Sequence, residues 1–146
     1  INILAYQKVN EKFRRVEMKI AISVFLFATF WGCSEGTSPN LGEAFDLKYG
    51  QTVQLSSNAI TVIFQEIEAD SRCPAGVECV WEGNAEVLLK VSTTDLSGVY
   101  SLNTTLEPKL IDHDGYMLEL VSVSPYPVYG EDISEQDYTI RISVTD

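Results

Sequence analysis

Two stretches decide the fold: Ala-Glu-Val-Leu-Leu-Lys-Val-Ser at residues 85–92 and Tyr-Thr-Ile-Arg-Ile-Ser-Val-Thr at residues 138–145. In both, apolar side chains alternate with polar ones, which predicts strands with one buried and one exposed face. Five shorter segments have the composition of strands and are separated by turn-forming residues; they lie at 45–49, 52–55, 59–67, 99–102 and 116–123. Alternation breaks within 60–67 and 117–123, where we expect a bulge or a strand that is apolar on both faces.

The predicted elements are all strands, because no stretch combines the apolar spacing, capping residues and length of a helix. Seven or eight short strands predict an all-β fold. The expected architecture is an antiparallel β-sandwich, immunoglobulin-like or Greek-key. A small β-barrel is the alternative.

An apolar run near the start of the chain has the anatomy of an export signal. Residues 18–32 contain a lysine, an apolar stretch and a glycine in that order, and Cys33 follows directly. The segment resembles a bacterial lipoprotein signal, in which Cys33 becomes the lipidated first residue, although Phe30 and Trp31 replace the usual leucine-like and small residues. The alternatives are a cleaved secretory signal and a retained membrane helix. The retained helix is less favoured, because a membrane-spanning helix needs about 20 apolar residues and this run is shorter.

The signal divides the chain into four parts. We interpret residues 1–17 as upstream translation or an extended start of the signal, and residues 18–32 as the signal peptide. Residues 33–42 are then the lipidated cysteine and a flexible tether, and residues 43–146 form one domain. The expected location is the extracytoplasmic cell envelope, at the outer membrane, with the membrane as a partner through the lipid.

The predicted mature chain is strongly acidic. From Cys33 onward it has 19 acidic and 5 basic side chains, a net charge of −14. Such a surface repels phosphate backbones, so we expect no nucleic acid as a partner. The simplest explanation of the acidity is solubility and self-repulsion, and the alternative is recruitment of a cation or a basic partner.

Cys73 and Cys79 lie in the loop between two predicted strands. In an oxidising compartment two nearby thiols usually pair, so we expect a disulfide that stabilises the fold by about 2 kcal/mol through loop closure. A zinc site is the alternative. It would need further cysteine or histidine ligands, and His113 is the only histidine.

The same loop carries a family resemblance. The segment resembles a recurrent signature of uncharacterised bacterial secreted and lipid-anchored proteins, formed here by Asp-Ser-Arg-Cys-Pro at 70–74, Val77, Cys79, Val80-Trp81 and Gly-Asn-Ala at 83–85. The resemblance implies an extracytoplasmic β domain with a short disulfide. It implies no activity and no catalytic residue.

We expect no enzymatic activity and no cofactor. His113 lies in Ile-Asp-His-Asp-Gly at 111–115, whose Asp-Gly pair predicts a hairpin turn with a solvated histidine. No serine or cysteine stands in a nucleophile motif beside a base. Pairs of carboxylates that could hydrolyse a glycoside are expected by chance in so acidic a chain, so their presence does not indicate that activity.

Two loops are candidate binding surfaces. In the disulfide loop, Arg72 and Glu78 are expected to be exposed and could enter a partner's cleft, although simple bracing of the loop is the plainer interpretation. In the Pro-Tyr-Pro-Val-Tyr segment, Tyr126 and Tyr129 could bind a sugar or peptide together with Trp81. The plainer interpretation is that these aromatic side chains cover one end of the core.

Two further features precede the last strand. Weak calcium candidates, without the ligand spacing of a calcium loop, are Glu131, Asp132, Glu135 and Asp137. Tyr138 could act as a tyrosine corner, with its hydroxyl bonded to the preceding loop.

The sequence therefore predicts a monomeric, lipid-anchored, noncatalytic binding or envelope-structural module, with a protein of the envelope as its partner. The alternative is an inhibitor-like protein that blocks an extracellular hydrolase through the Cys73–Cys79 loop. The second alternative is a calcium, small-molecule or sugar binder.

Overall fold

The computed structural model describes residues 38–55 and 59–146. The predicted signal peptide, Cys33 and most of the tether lie outside the described residues. Within the described residues, two four-stranded antiparallel sheets remain separate layers, which confirms the predicted β-sandwich and decides against a closed alternative. No helix in this part of the chain is long and apolar enough to cross a membrane.

Eight strands follow one another along the chain. They are β1 (Ala44–Lys48), β2 (Thr52–Leu55), β3 (Ile60–Asp70), β4 (Ala85–Ser92), β5 (Ser97–Asn103), β6 (Leu110–His113), β7 (Tyr116–Ser124) and β8 (Thr139–Thr145). The one helical element among the described residues is a short 3-10 turn at Glu135–Asp137.

The strand order shows how the chain builds the two layers. Strands β2 to β5 form one sheet in simple sequential order, and the other sheet has the order β1, β8, β7, β6. Strands β6, β7 and β8 are consecutive neighbours, and β1, which is separated from β6 by the whole β2–β5 sheet, lies beside β8. Read from the C-terminus, this is the strand order of a Greek key. It differs from the immunoglobulin order.

The alternating stretches supply the core. Along β4 the side chains of Ala85, Val87, Leu89 and Val91 are fully buried, and along β8 those of Ile140, Ile142 and Val144 are buried in the same way. They belong to one cluster with the other inward side chains of both sheets, which include Phe64 and Leu118. The predicted alternation is therefore confirmed.

The two interrupted strands contain bulges. Register shifts occur in β3 between Phe64 and Glu66 and between Ile67 and Ala69, and in β7 between Leu120 and Ser122. An extra residue reverses the side-chain alternation beyond it, which explains the broken pattern.

The prediction of a solvated His113 is wrong. His113 is the last residue of β6, only 1 % of its surface is exposed, and its Nδ1 lies 2.7 Å from the hydroxyl of Tyr100. The turn itself consists of Asp114 and Gly115, both with positive φ, so His113 does not belong to the turn but pairs with Tyr116 in a strand that the sequence did not predict.

The loops divide between two ends of the sandwich. Strand pairing brings the β3–β4 loop (71–84), the β5–β6 loop (104–109) and the β7–β8 loop (125–138) to one end, which we call the loop end. The chain enters at the opposite end, where the backbone N–H of Gly42 donates to the carbonyl of Val144. The β4–β5 connection and the β6–β7 turn also lie there, joined by a hydrogen bond from Thr93 to Asp114.

Candidate functional site

The β3–β4 loop extends the hairpin beyond the sheet. The backbone N–H of Ser71 donates to Asn84 at 2.7 Å, and that of Cys73 donates to Glu82 at 2.9 Å. Beyond this point Cys73 and Cys79 form the predicted disulfide, with their Cα atoms 5.9 Å apart. The zinc alternative for this pair is wrong, because the two sulfurs are bonded to each other.

The base of this loop, where Gly83 faces Ser71 and which we call the neck, requires glycine. Gly83 has φ +73°, and a Cβ at this position would collide with the carbonyl oxygen of Ser71 across the hairpin. Glycine alone combines the left-handed conformation with this close approach of two backbones.

The β7–β8 loop lies beside the disulfide loop. Ala75 forms a parallel bridge with Val128, in which the N–H of Ala75 donates to Pro127 at 2.8 Å and the N–H of Tyr129 donates to Ala75 at 3.3 Å. The disulfide loop is therefore held against a second loop over part of its length.

Arg72 is buried, so the prediction of an exposed side chain is wrong. Only 8 % of its surface is accessible. The guanidinium group donates from Nε and Nη2 to the two carboxylate oxygens of Asp70, at 2.9 and 2.6 Å. It also donates from Nη1 to the carbonyl of Val123 at 2.6 Å and from Nη2 to that of Pro125 at 2.8 Å. It also lies 5.3 Å from the ring centroid of Tyr126. The side chain turns inward because backbone carbonyls of the other sheet and a carboxylate converge on its donors.

Tyr138 completes this cluster, and its predicted role as a tyrosine corner is wrong. Its hydroxyl donates to Asp70 at 3.0 Å, on the opposite sheet, and not to its own preceding loop. Burial alone raises the pKa of Asp70, but the hydrogen bonds and charge of Arg72 outweigh it, so that pKa lies below its usual value. Burial and the hydrogen bond to Asp70 raise the pKa of Tyr138 to about 12.

Asn84 holds the β5–β6 loop in place, a role that the sequence analysis did not predict. Its side-chain oxygen accepts from the backbone N–H of Thr105 at 3.0 Å, and its amide donates to Asn103 at 2.7 Å. One feature of the sequence pointed to this role: Asn84 lies in the Gly-Asn-Ala part of the signature, directly before a strand. Asparagine is favoured at such positions because its side chain can bond to nearby backbone groups.

Seven of the eleven large apolar side chains that are exposed among the described residues lie on the loops of the loop end. Trp81 is 81 % exposed, Val80 87 % and Tyr129 73 %. We call this set of exposed apolar side chains the apolar patch; it consists of Val77, Val80, Trp81, Leu106, Tyr126, Val128 and Tyr129. The interpretation that the aromatic residues cover the core is wrong, because Tyr138, Tyr49 and Ile133 already pack there.

A hollow of about 810 Å³ lies beside Trp81. Its apolar wall is formed by Pro74, Leu106, the indole of Trp81 and the disulfide, while Ser71, Glu82 and Thr105 contribute polar groups. A smaller hollow of about 250 Å³ lies next to it and shares Arg72, Glu82 and Thr105 with it. The site is therefore concave and mainly apolar, and Glu82 contributes the one carboxylate of its lining.

Exposed carboxylates accompany the apolar patch. In the β3–β4 and β7–β8 loops they are Glu78, Glu82, Glu131, Asp132, Glu135 and Asp137. The ion pairs found among the described residues are Arg72–Asp70 and Arg141–Asp46, so these six lack a cationic partner there. No group of three or more metal-binding side chains in the described chain is arranged to hold an ion. Glu135 instead accepts a hydrogen bond from Tyr49, which raises the pKa of Tyr49.

Comparison with known proteins finds no matching family model, no matching curated protein and no matching solved structure.

Proposed function

We propose that the protein is a noncatalytic binding module of the extracytoplasmic envelope and that the loop end is its binding surface. The observation that carries this proposal is the exposure of Trp81, Val80 and Tyr129 together on loops of one end. Exposed apolar surface of this kind marks interaction sites in monomeric proteins, and tryptophan and tyrosine contribute most of the binding energy in many interfaces.

The rigidity of the loops supports the same function. The disulfide, the Ala75–Val128 bridge and the four side-chain hydrogen bonds of Arg72 fix the loop backbone. A surface that is already ordered loses less conformational entropy when it binds a partner. Aromatic side chains held on such a frame are suited to recognition.

Lipidation of Cys33 belongs to this proposal, because residues 18–33 have the anatomy of a lipoprotein signal. Intact-mass measurement on detergent-extracted protein tests the anchor: a mass for residues 33–146 plus a diacylglyceryl group is expected, and an unmodified chain would contradict it.

The side chains around the hollow favour binding over catalysis. His113, the only histidine, is buried on β6 against Tyr100 and does not line either hollow. Cys73 and Cys79 are oxidised and cannot act as nucleophiles. Neither an imidazole nor a thiolate is therefore available beside Trp81.

Affinity capture from envelope extract tests the proposed surface. The bait is the full chain in nonionic detergent, compared with Trp81→Ala and Tyr129→Ala variants and with Leu96→Ala, which removes an exposed apolar side chain at the opposite end. A partner retained by wild type and Leu96→Ala but lost from the other two is expected. Identical capture by all four proteins would contradict the proposal.

A hydrolase inhibitor is the second candidate. The braced loop carries Val77 and Glu78, both exposed, between its two cysteines, as an inserted inhibitor loop would. The test measures residual activity of envelope proteases and of lysozyme with increasing protein. Stoichiometric inhibition that is lost in a Val77→Ala, Glu78→Ala variant would support it, and full activity at saturating protein would remove it.

A further inference from the structure

We infer that the partner of the loop end is a basic polypeptide, which places an apolar side chain in the hollow beside Trp81 and lysine or arginine side chains against the surrounding carboxylates. This inference rests on the proposed function and names the chemistry of the partner. It combines two independent features of the same surface, its exposed aromatic side chains and its unbalanced charge.

Two of the three loops at the loop end have an unbalanced charge, while the β5–β6 loop has one carboxylate, Glu107, and one lysine, Lys109. The β3–β4 and β7–β8 loops contain no lysine, and their one arginine, Arg72, is buried and bonded to Asp70. The exposed carboxylates of these two loops therefore face solvent without a counter-charge from the described residues. Complementary charge across an interface speeds association and selects the partner, so cationic side chains are the expected match.

Glu82 connects the charge with the hollow. It is exposed, it lines both the larger and the smaller hollow, and its backbone carbonyl is fixed by the N–H of Cys73. An apolar side chain against Trp81 and Leu106 would bring a neighbouring lysine or arginine of the partner within reach of Glu82. The exposed rings of Trp81 and Tyr129 add a favourable contact for the same cations.

Other occupants fit the surface less well. A second copy of this chain would bring the same acidic loops together, and like charges in contact are unfavourable. An anionic lipid surface is repelled for the same reason. A neutral sugar would leave the carboxylates without partners, and the Asn84 amide that could bind its hydroxyls is already bonded to Asn103 and Thr105.

Fluorescence titration of the full chain measures this directly. In detergent micelles, a Trp31→Phe variant has Trp81 as its only tryptophan, and hence as the reporter, whether or not the predicted signal peptide that contains residue 31 has been removed. The probe is an amidated peptide with lysine and arginine on both sides of one leucine, and the matched peptide has glutamate at each cationic position. We expect saturable change with the basic peptide alone, and about tenfold weaker affinity when salt is raised from 50 to 300 mM.

Charge variants locate the contact. Glu78→Gln, Glu82→Gln and Glu131→Gln together keep side-chain size and should weaken binding of the basic peptide about tenfold, because three unit charges near the cations are removed. Glu43→Gln with Asp95→Asn, both exposed and near the opposite end, should leave the affinity within twofold.

Each contrary result overturns the inference. Equal or tighter binding of the glutamate peptide, of chitotriose or of phosphatidylglycerol vesicles would identify a different occupant, and a salt-independent dimer in sedimentation would identify a second copy. If the basic peptide does not bind while capture from extract still depends on Trp81, the inference fails and the proposed function stands. If capture does not depend on Trp81, both fail.

Discussion

At the residue scale, the guanidinium group of Arg72 joins the two sheets under the loop end. It bonds Asp70 at the end of β3 and the carbonyls of Val123 and Pro125 at the end of β7. A buried charge of this kind stabilises a structure only while all its partners are present. Its removal should therefore affect stability as well as the loops above it.

An Arg72→Met variant should lower the free energy of unfolding by about 3 kcal/mol, because Asp70 and two carbonyls lose their partner inside the protein. Urea denaturation measures the change. Arg141→Met is the matched control, since its ion pair with Asp46 is exposed and should contribute less than about 1 kcal/mol. Equal losses from the two variants would contradict the role assigned to Arg72.

The pH dependence of unfolding should follow Asp70 and Tyr138. Because the pKa of Asp70 is lowered in the fold, its contribution is present above about pH 4 and is lost as the pH falls through the folded value. The pKa of Tyr138 is raised to about 12, so its contribution is present below about pH 10 and is lost as the pH rises through 12. Urea titrations at pH 2–7 measure the acid limb, which should flatten in Asp70→Asn and persist in Asp46→Asn.

Arg72 and His113 show why single residues are hard to predict here. A charged or polar residue in a turn-rich segment is usually exposed, and both predictions followed that rule. The partners that bury them, Val123 and Pro125 for one and Tyr100 for the other, are distant or unremarkable in the sequence. These partners are brought together by strand pairing, which cannot be predicted from the local sequence pattern.

At the element scale, the β3–β4 loop is a rigid extension of the sheet. Its neck depends on Gly83, where any side chain would meet the backbone of Ser71. Gly76, at the far side of the same loop, also has positive φ, but a Cβ at this position would meet open space.

This pair of glycines gives a controlled test of the neck. Gly76→Ala should cost about 1 kcal/mol, the ordinary cost of a left-handed alanine. Gly83→Ala adds a collision between backbones and should cost at least twice as much, with weaker partner capture. Thermal denaturation with a capture assay measures both effects, and equal Tm values for the two variants would mean that the neck can open without loss.

Strands were predictable to different degrees for physical reasons. The stretches at 85–92 and 138–145 match β4 and β8 to within one residue, because each buries one complete face. β6 was missed because Leu110–His113 runs directly into the Asp-Gly turn and was interpreted as part of that turn. β3 continues to Asp70, past the expected end, because Ala69 and Asp70 still pair with Glu86 and Ala85 across a bulge.

At the scale of the whole molecule, the sandwich has two different ends. The alternating pattern was sufficient to predict two packed sheets, and the two nearby cysteines were sufficient to predict a disulfide loop between strands. It could not show that the β3–β4, β5–β6 and β7–β8 loops meet at one end, because that depends on which strands pair. Nor could it show that Trp81 and Tyr129 remain exposed once Tyr138 and Ile133 have covered the core.

Site-specific photo-crosslinking in cells tests the central claim, that the loop end is the binding surface, most directly. A benzophenone amino acid replaces Tyr129 in one protein and Leu96, at the opposite end, in another. We expect an adduct of defined mass at position 129, lost when Trp81→Ala is added, and none at position 96. An adduct at position 96 with none at position 129 would contradict this claim.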